Sequence, residues 1–285
     1  MINIREIVLG LIVKTPFKYH ITSALLILSL TSNSTAQKRV LCLSWNVESG
    51  ENHQDTIAKR LSEFEGYDIM GLTEVKARNA DLYSQAASVG EGAGNSSSPD
   101  FKYALGSTGG NDRMMIIWDN KRFEKIGEAQ ELSQLNEGRH RAPLFAKFKI
   151  RNTEIEFIFM VNHLARGNSD LRDKQAQGLV EWAKEQTVPV ISVGDYNFDF
   201  DIDEGVGNKG FNNMINDSVW IWLKPKRLYQ TQFSPKYNSV LDFVFVANMP
   251  TNWEGYSTII LSHPSVDNEA ESDHRPVEAH FYINP

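Results

Sequence analysis

Short apolar runs of strand length recur along this chain, separated by stretches with helical periodicity. The runs are Val40–Trp45, Asp68–Leu72, Met114–Trp118, Leu144–Ile150, Glu156–Val161, Val188–Val193, Leu241–Val246 and Val277–Ile283. Val188–Val193 and Leu241–Val246 are apolar on both faces, which predicts cover on both sides. Leu144–Ile150 instead alternates partly, with Lys147 and Lys149, and reads as half-buried. Two helices stand out between the strands. In the first, Ile57, Leu61 and Phe64 recur at helical spacing after Asp55; the second spans Leu171 to Glu185, with Leu179, Val180 and Ala183 on one face. Buried and half-buried strands with interspersed helices predict a layered α/β domain rather than a single Rossmann sheet. There is no G-x-G-x-x-G or P-loop, which argues against a nucleotide cofactor.

The first 36 residues have a different pattern. Arg5, Lys14 and Lys18 precede an apolar run from Ile21 to Leu30, and Ser34-Thr35-Ala36 follows as an A-x-A-like cleavage site. The run is too short to span a bilayer, which needs ~20 apolar residues. The expectation is a signal peptide over residues 1–36, export to the periplasm or the exterior, and one catalytic domain over residues 37–285. The long charged region, and Pro16 between an earlier apolar patch and the main one, depart from the usual pattern. Gly90 to Pro99 reads as a flexible loop, too short for a domain linker.

Composition changes this picture only at the edges. Of the 285 residues 41% are hydrophobic and 11% aromatic, enough for one sizeable core. Removing the leader would take away three basic residues and one acidic one and move the formal charge from −7 to −9. So acidic a domain is no general nucleic-acid binder, although a local basic strip can still serve a groove. The single cysteine, Cys42, lies in an apolar run and reads as core, and an intramolecular disulfide is excluded. Nothing in the sequence points to a protein partner, and a monomer is expected.

The candidate chemistry lies at the strand ends. Gly194-Asp195-Tyr196-Asn197 follows one apolar strand; if the chain stays extended, Asp195 and Asn197 point to the same side and meet one ligand. An ordinary Asp/Asn turn is the alternative. Asn46 and Glu74 end two further strands, where hard oxygen donors suit Mg²⁺ or serve as solvated caps. His163 follows Glu156–Val161 and either contacts a phosphate oxygen or is a neutral histidine satisfied at a strand end. Asp242 lies inside the apolar run Ser239–Val246, where a carboxylate is costly unless paired, and an imidazole is a natural partner. Ser272-Asp273-His274-Arg275-Pro276-Val277 presents a carboxylate and an imidazole at the mouth of the last strand.

Taken in order, Trp45-Asn46, Glu74, Asn162-His163, Gly194-Asp195-Tyr196-Asn197, Asp242 and Ser272–Pro276 resemble the endonuclease/exonuclease/phosphatase superfamily. That superfamily includes pancreatic deoxyribonuclease, AP endonucleases, neutral sphingomyelinases and inositol polyphosphate 5-phosphatases. The resemblance implies a four-layered α/β sandwich, with two central mixed sheets face to face and helices outside, and a metal-assisted phosphate ester hydrolase. By position it makes Glu74 the main ligand of a Mg²⁺ ion (Mn²⁺ or Ca²⁺ in its place), with Asn46 and Asp273 beside it. It makes His274 the general base, oriented by Asp242. Asp195 and Asn197 position the water and the phosphate, and His163 contacts a phosphate oxygen or assists the leaving group. Thr73 and Tyr196 depart mildly from the family's usual Gln and Phe. Asp112 is one position for the acidic partner that some nucleases give to the residue matching His163. Arg113, Arg139 and Arg141 read either as phosphate contacts or as solvated surface.

For the substrate, Lys224, Lys226, Arg227 and Lys236 lie among aromatics just before Asp242 and suit a nucleic-acid backbone, or form a solvated loop. A phospholipid diesterase needs an exposed apolar hairpin, for which Val219–Leu223 is the one candidate. The preferred expectation is an exported nuclease. Sphingomyelinase-like or inositol-phosphate hydrolysis is the alternative, and a catalytically inactive binding module on the same scaffold is the different-class alternative. Asp199-Phe200-Asp201-Ile202-Asp203-Glu204-Gly205 mimics the start of a Ca²⁺ loop but has Glu204 and Gly210 where an EF-hand needs Gly and Glu.

Overall fold

Adjacent residues in the first strand serve two different cores, and that alternation organises both sheets. A computed structural model describes residues 38–48, 53–89, 98–261 and 271–284, all within the unit Ala36–Pro285. The leader and residues 90–97 of the Gly90–Pro99 segment lie outside the described residues. In chain order the strands are β1 (Lys38–Asn46), β2 (Ile69–Val75), β3 (Phe101–Leu105), β4 (Arg113–Asp119), β5 (Phe123–Glu131) and β6 (Leu144–Ile150). They continue with β7 (Glu156–His163), β8 (Val190–Asp201), β9 (Ile221–Trp222), β10 (Ser239–Ala247), β11 (Trp253–Ile259) and β12 (Val277–Ile283). The helices are α1 (Gln54–Glu63), α2 (Ala80–Val89), α3 (Ser169–Lys184) and α4 (Lys209–Ile215).

The strands form two six-stranded mixed sheets, ordered β11-β12-β1-β2-β4-β3 and β5-β6-β7-β8-β10-β9. In β1, Val40 and Cys42 join the core between the sheets, while Leu41, Leu43 and Trp45 join the core beneath α1 and α2. β4 divides the same way, with Met114, Ile116 and Trp118 inward and Met115 and Ile117 toward the helices. On the far side, Leu179, Val180 and Ala183 of α3 and Phe211 and Met214 of α4 pack on the second sheet. Helix, sheet, sheet, helix is the four-layered sandwich that the sequence implied. Cys42 is buried core, as expected.

The two sheets are tightly packed at Gly71, where a Cβ would lie 2.5 Å from Val193 Cγ2 and 2.8 Å from Val161 Cγ2. Strand direction then gathers the chemistry. β1 and β2 run parallel, as do β7 and β8, so Asn46 falls beside Thr73 and His163 beside Asp195. The antiparallel neighbours bring Asp242 opposite Asp195 and start β12 at Val277, beside Ser44. Asn46, Glu74, His163, Asp195, Asp242 and the Ser272–His274 segment therefore meet at one end of the sandwich.

Candidate active site

Irregular backbone turns these side chains inward. Between Leu72 and Val75, three steps of β2 face two of β4, and Glu74 within that bulge has φ 62°. A non-glycine residue in the left-handed region costs about 1 kcal/mol or more, and here the strain aims a carboxylate at the site. Gly194 has φ 133° and lies so close to the Asn162 backbone that a Cβ would be 2.0 Å from its carbonyl oxygen. Only glycine fits there. Between Val240 and Asp242, five steps of β8 face two of β10, and Asn197 (φ 51°) and Asp199 (φ 45°) absorb the excess.

The chain is therefore not extended at Asn197, and of the two readings of this motif the Asp/Asn turn is the one formed. Asp195 Oδ1 accepts from the Asn197 backbone N–H at 2.9 Å, and the Asn197 amide donates to the Leu164 carbonyl at 3.1 Å. Asn197 thus braces the loop after His163, while Asp195 faces the site with its other oxygen.

Asp242 and His274 form the most tightly bound pair of the site. His274 Nδ1 lies 2.7 Å from Asp242 Oδ2, and both residues are buried. His274 Nε2 faces Asp195 Oδ2 and Asp273 Oδ1, each at 3.8 Å. Burial alone would lower the His274 pKa, but the charges of Asp242, Asp195 and Asp273 outweigh it and push it up to about 10. The histidine's own segment is anchored too. The Trp45 indole donates to the His274 carbonyl at 2.9 Å, and Ser272 Oγ donates to the Asn46 carbonyl and accepts from the His274 N–H.

His163 lies across the site. Its Nε2 is 3.5 Å from Asp195 Oδ2 and 3.9 Å from Glu74 Oε1, and its Nδ1 is 3.4 Å from Asp112 Oδ1. Arg141 pairs with Asp112 at 2.8 Å. Burial, helped by the Arg141 charge, pulls the His163 pKa down to about 4. Burial raises Asp112 to about 6 against the opposing charge of Arg141. The acidic neighbour of His163 is therefore Asp112, as the sequence allowed, and Arg141 completes the group. Arg113 is turned to the Gly110 and Gly106 carbonyls instead, and Arg139 is exposed on a separate surface pocket.

The Asn46 side chain ties the carboxylates together, donating to Glu74 Oε1 at 3.0 Å and Asp195 Oδ2 at 3.2 Å, while its oxygen accepts from the Glu48 N–H. Glu48, which the sequence reading passed over, accepts from the Asp273 N–H at 2.9 Å. Burial raises the pKa of both Glu48 and Asp195. Asp112 Oδ1 and Asp242 Oδ1 are buried without a hydrogen-bond partner. Two groups in this cluster, Glu74–Asp112–His163 and Asp195–Asp242–His274, can each hold an ion. A concentration of hard carboxylate oxygens with more negative charge than the imidazoles and Arg141 balance fits a divalent cation such as Mg²⁺. Glu74, with Asn46 and Asp273 beside it, is the ligand set the sequence implied. In this structure Asn46 presents its NH₂ to the carboxylates.

The basic cluster goes elsewhere. Lys224, Lys226 and Arg227 line a cavity of about 620 Å³ with Tyr229, Tyr256 and Leu261, and none of the residues described above lines it. Lys224 lies over the rings of Phe200 and Trp222, and Lys236 over that of Tyr237. In the apolar segment Val219–Leu223, Trp220 and Leu223 are core and only Ile221 is clearly exposed, so it is no lipid-docking hairpin. The acidic loop holds itself together. Asp201 accepts from the Asp203 and Glu204 N–H groups, Asp199 from Asn208 and Asp203 from Asn238.

Comparison with known proteins agrees with this fold. The model of the Endonuclease/Exonuclease/phosphatase family matches residues 43–274. No curated protein matches. An endonuclease/exonuclease/phosphatase family protein from Bacteroides thetaiotaomicron superposes with a TM-score of 0.66 at 18% identity, covering 88% of this chain and 100% of the other. D. rerio TDP2 complexed with single strand DNA product gives 0.66 at 17%, covering 86% and 99%. The mannosyl-6-phosphatase Bt3783 of B. thetaiotaomicron VPI-5482 gives 0.63 at 17%, covering 85% and 99%.

Proposed function

The chain belongs to the Endonuclease/Exonuclease/phosphatase family, and on that premise we propose that it is an exported, Mg²⁺-dependent phosphodiesterase acting on nucleic acid. The observation that carries the reading is the buried Asp242–His274 pair, whose free Nε2 points at Asp195 and Asp273. A binding module has no use for a base, a residue that orients it and a set of carboxylates beside it.

His274 in its neutral form takes a proton from the attacking water at Nε2, while Asp242 fixes the ring through Nδ1 and stabilises the imidazolium that results. The value of about 10 belongs to the metal-free site, and a cation held beside Asp273 would lower it by offsetting the carboxylate charge. Asp195, held by the Asn197 N–H, orients that water. As oxygen attacks phosphorus and the ester bond breaks, the leaving oxygen takes up a proton from solvent and His274 returns its own to solvent. His163, neutral at pH 7, donates a hydrogen bond to a phosphoryl oxygen from its Nε2 side. Arg141, beside Asp112, adds positive charge on that flank. Glu74 and Asp273 would hold the divalent cation, with the Asn46 NH₂ steadying Glu74, and the ion would offset charge gathering on the phosphoryl oxygens. The leader supports export.

Nucleic acid is favoured over lipid because Trp220 and Leu223 are core, so Val219–Leu223 is not a docking hairpin among the described residues. The likeness to TDP2 bound to a DNA product is in keeping with it. The test is a parallel assay of the mature protein on plasmid DNA, an abasic duplex, RNA, sphingomyelin, inositol phosphates and mannose 6-phosphate, with EDTA and Glu74→Gln controls. EDTA-sensitive cleavage of DNA or RNA that is lost in Glu74→Gln is expected. Turnover of a lipid or a sugar phosphate with none of nucleic acid would overturn the substrate choice. Ligand binding with no turnover at all would favour the binding module.

A further inference from the structure

The Asp242–His274 pair bridges two sheets, since Asp242 belongs to β10 of one sheet and His274 leads into β12 of the other. Something must hold those two backbones in register. The ladder of β10 cannot, because the irregularity between Val240 and Asp242 falls at that point.

Thr231 fills the gap. It is fully buried, and its Oγ1 accepts from both the Leu241 N–H at 2.8 Å and the Asp242 N–H at 3.1 Å. Its backbone carbonyl accepts from the Arg275 N–H at 2.7 Å. One residue thus grips the chain at Asp242 and again beside His274. Gln232, next along, bridges His274 in a short antiparallel contact, and its side chain donates to Asp273 Oδ2 at 2.8 Å while accepting from Arg166 at 2.9 Å. The Phe233 N–H donates to the Asp273 carbonyl, and the Arg275 guanidinium covers the Phe233 ring at 4.2 Å. Three consecutive residues outside every motif of the sequence therefore fasten all three members of the Asp242, Asp273 and His274 set.

We propose that Thr231 and Gln232 are positioning residues: Thr231 sets the Asp242–His274 contact across the two sheets, and Gln232 fixes the Asp273 carboxylate. This rests on the reading of His274 as the base, but the structural half stands apart from it. A hydroxyl is required at position 231 because two buried N–H groups share one acceptor, and a methyl cannot replace it.

The test compares Thr231→Val, Thr231→Ser and Gln232→Met with the wild type, each first checked for a cooperative thermal transition. The first readout is the ring-proton resonance of the short His274 Nδ1–Asp242 hydrogen bond. It is expected far downfield in the wild type and in Thr231→Ser, and lost or shifted in Thr231→Val. The second is hydrolysis of the preferred substrate. Thr231→Val is expected to lower kcat roughly 10- to 100-fold with KM within about twofold, and Thr231→Ser to restore it. Gln232→Met is expected to raise the Mg²⁺ concentration for half-maximal activity about tenfold or more.

A folded Thr231→Val with unchanged resonance and kcat would overturn the proposal while leaving the function standing. So would a Thr231→Ser as impaired as Thr231→Val. If Thr231→Val does not fold, an unchanged Mg²⁺ requirement in Gln232→Met overturns it. A wild type inactive on every substrate, with the resonance still lost in Thr231→Val, would remove the enzymatic reading and leave the positioning role.

Discussion

His274 and His163 are both buried, both turn Nε2 toward the same oxygen of Asp195, and each has an aspartate beside Nδ1. They nevertheless ionise in opposite directions, His274 rising to about 10 and His163 falling to about 4. The difference lies in what else each aspartate touches. Asp242 serves His274 alone among the described ion pairs, at 2.7 Å, and Asp273 adds charge nearby. Asp112 stands 3.4 Å from His163 and is shared with Arg141, whose own charge opposes a second cation. A histidine–aspartate pair is thus not one device. A proton acceptor needs an aspartate of its own, and a neutral hydrogen-bond donor results when a cation claims the acid first.

Four changes would break or sharpen that contrast. The largest effect is expected from Asp242→Asn, which keeps the shape but frees the tautomer of His274; kcat should fall roughly 10²- to 10⁴-fold. A fall of less than tenfold would mean that Asp242 does not orient the base.

Stability against pH in EDTA-treated protein should show the pair's opposite signs. Between about 6.5 and about 10 the folded state holds the His274 proton and the unfolded state does not, so stability declines as pH rises through that window. Between about 4 and about 6.5 the unfolded chain protonates at His163 and the folded one does not, so stability declines as pH falls. Thermal scans of His274→Ala should flatten the alkaline limb and those of His163→Ala the acid limb. The reverse assignment would contradict the account.

A smaller effect is expected from Arg141→Met. It removes the cation next to Asp112, so the His163 pKa should rise, as followed by histidine-ring NMR, while His274 stays where it is. The smallest concerns the basic loop. Lys226→Glu with Arg227→Glu should leave kcat on a small chromogenic phosphodiester unchanged within about twofold, because these residues line a cavity that the site residues do not share. A tenfold loss there would place that cavity in the reaction.

Much of this molecule was legible in its sequence. The eight runs read as strands are strands, because each lies inside a sheet and is apolar over most of its length. The four strands missed are β3, β5, β9 and β11, and these are the four edges of the two sheets. An edge strand such as Phe123–Glu131 is largely exposed and charged, so its sequence carries no continuous apolar signal. Helix α2 is rich in small residues and α4 is only seven residues long, too weak a period to read.

The motif residues converge because each ends or interrupts a readable strand. Thr231, Gln232 and Glu48 were missed because they act on backbone N–H groups and carboxylates distant in sequence, a pattern no local motif encodes. The basic cluster shows the limit of nearness in sequence. Lys224, Lys226 and Arg227 line a cavity that Asp242 and the other site residues do not line, although its wall includes Ile259, which pairs with Val277 close to His274.

The central claim is that one histidine of the two removes the proton while the other only steadies the phosphate. Single-turnover cleavage of a labelled DNA strand with saturating Mg²⁺, in the wild type, His274→Ala and His163→Ala side by side, tests it most directly. The account predicts a loss of about 10³- to 10⁴-fold for His274→Ala and of roughly 10- to 100-fold for His163→Ala, the worth of one hydrogen bond to a charged group. Equal losses, or the larger one at His163, would contradict it.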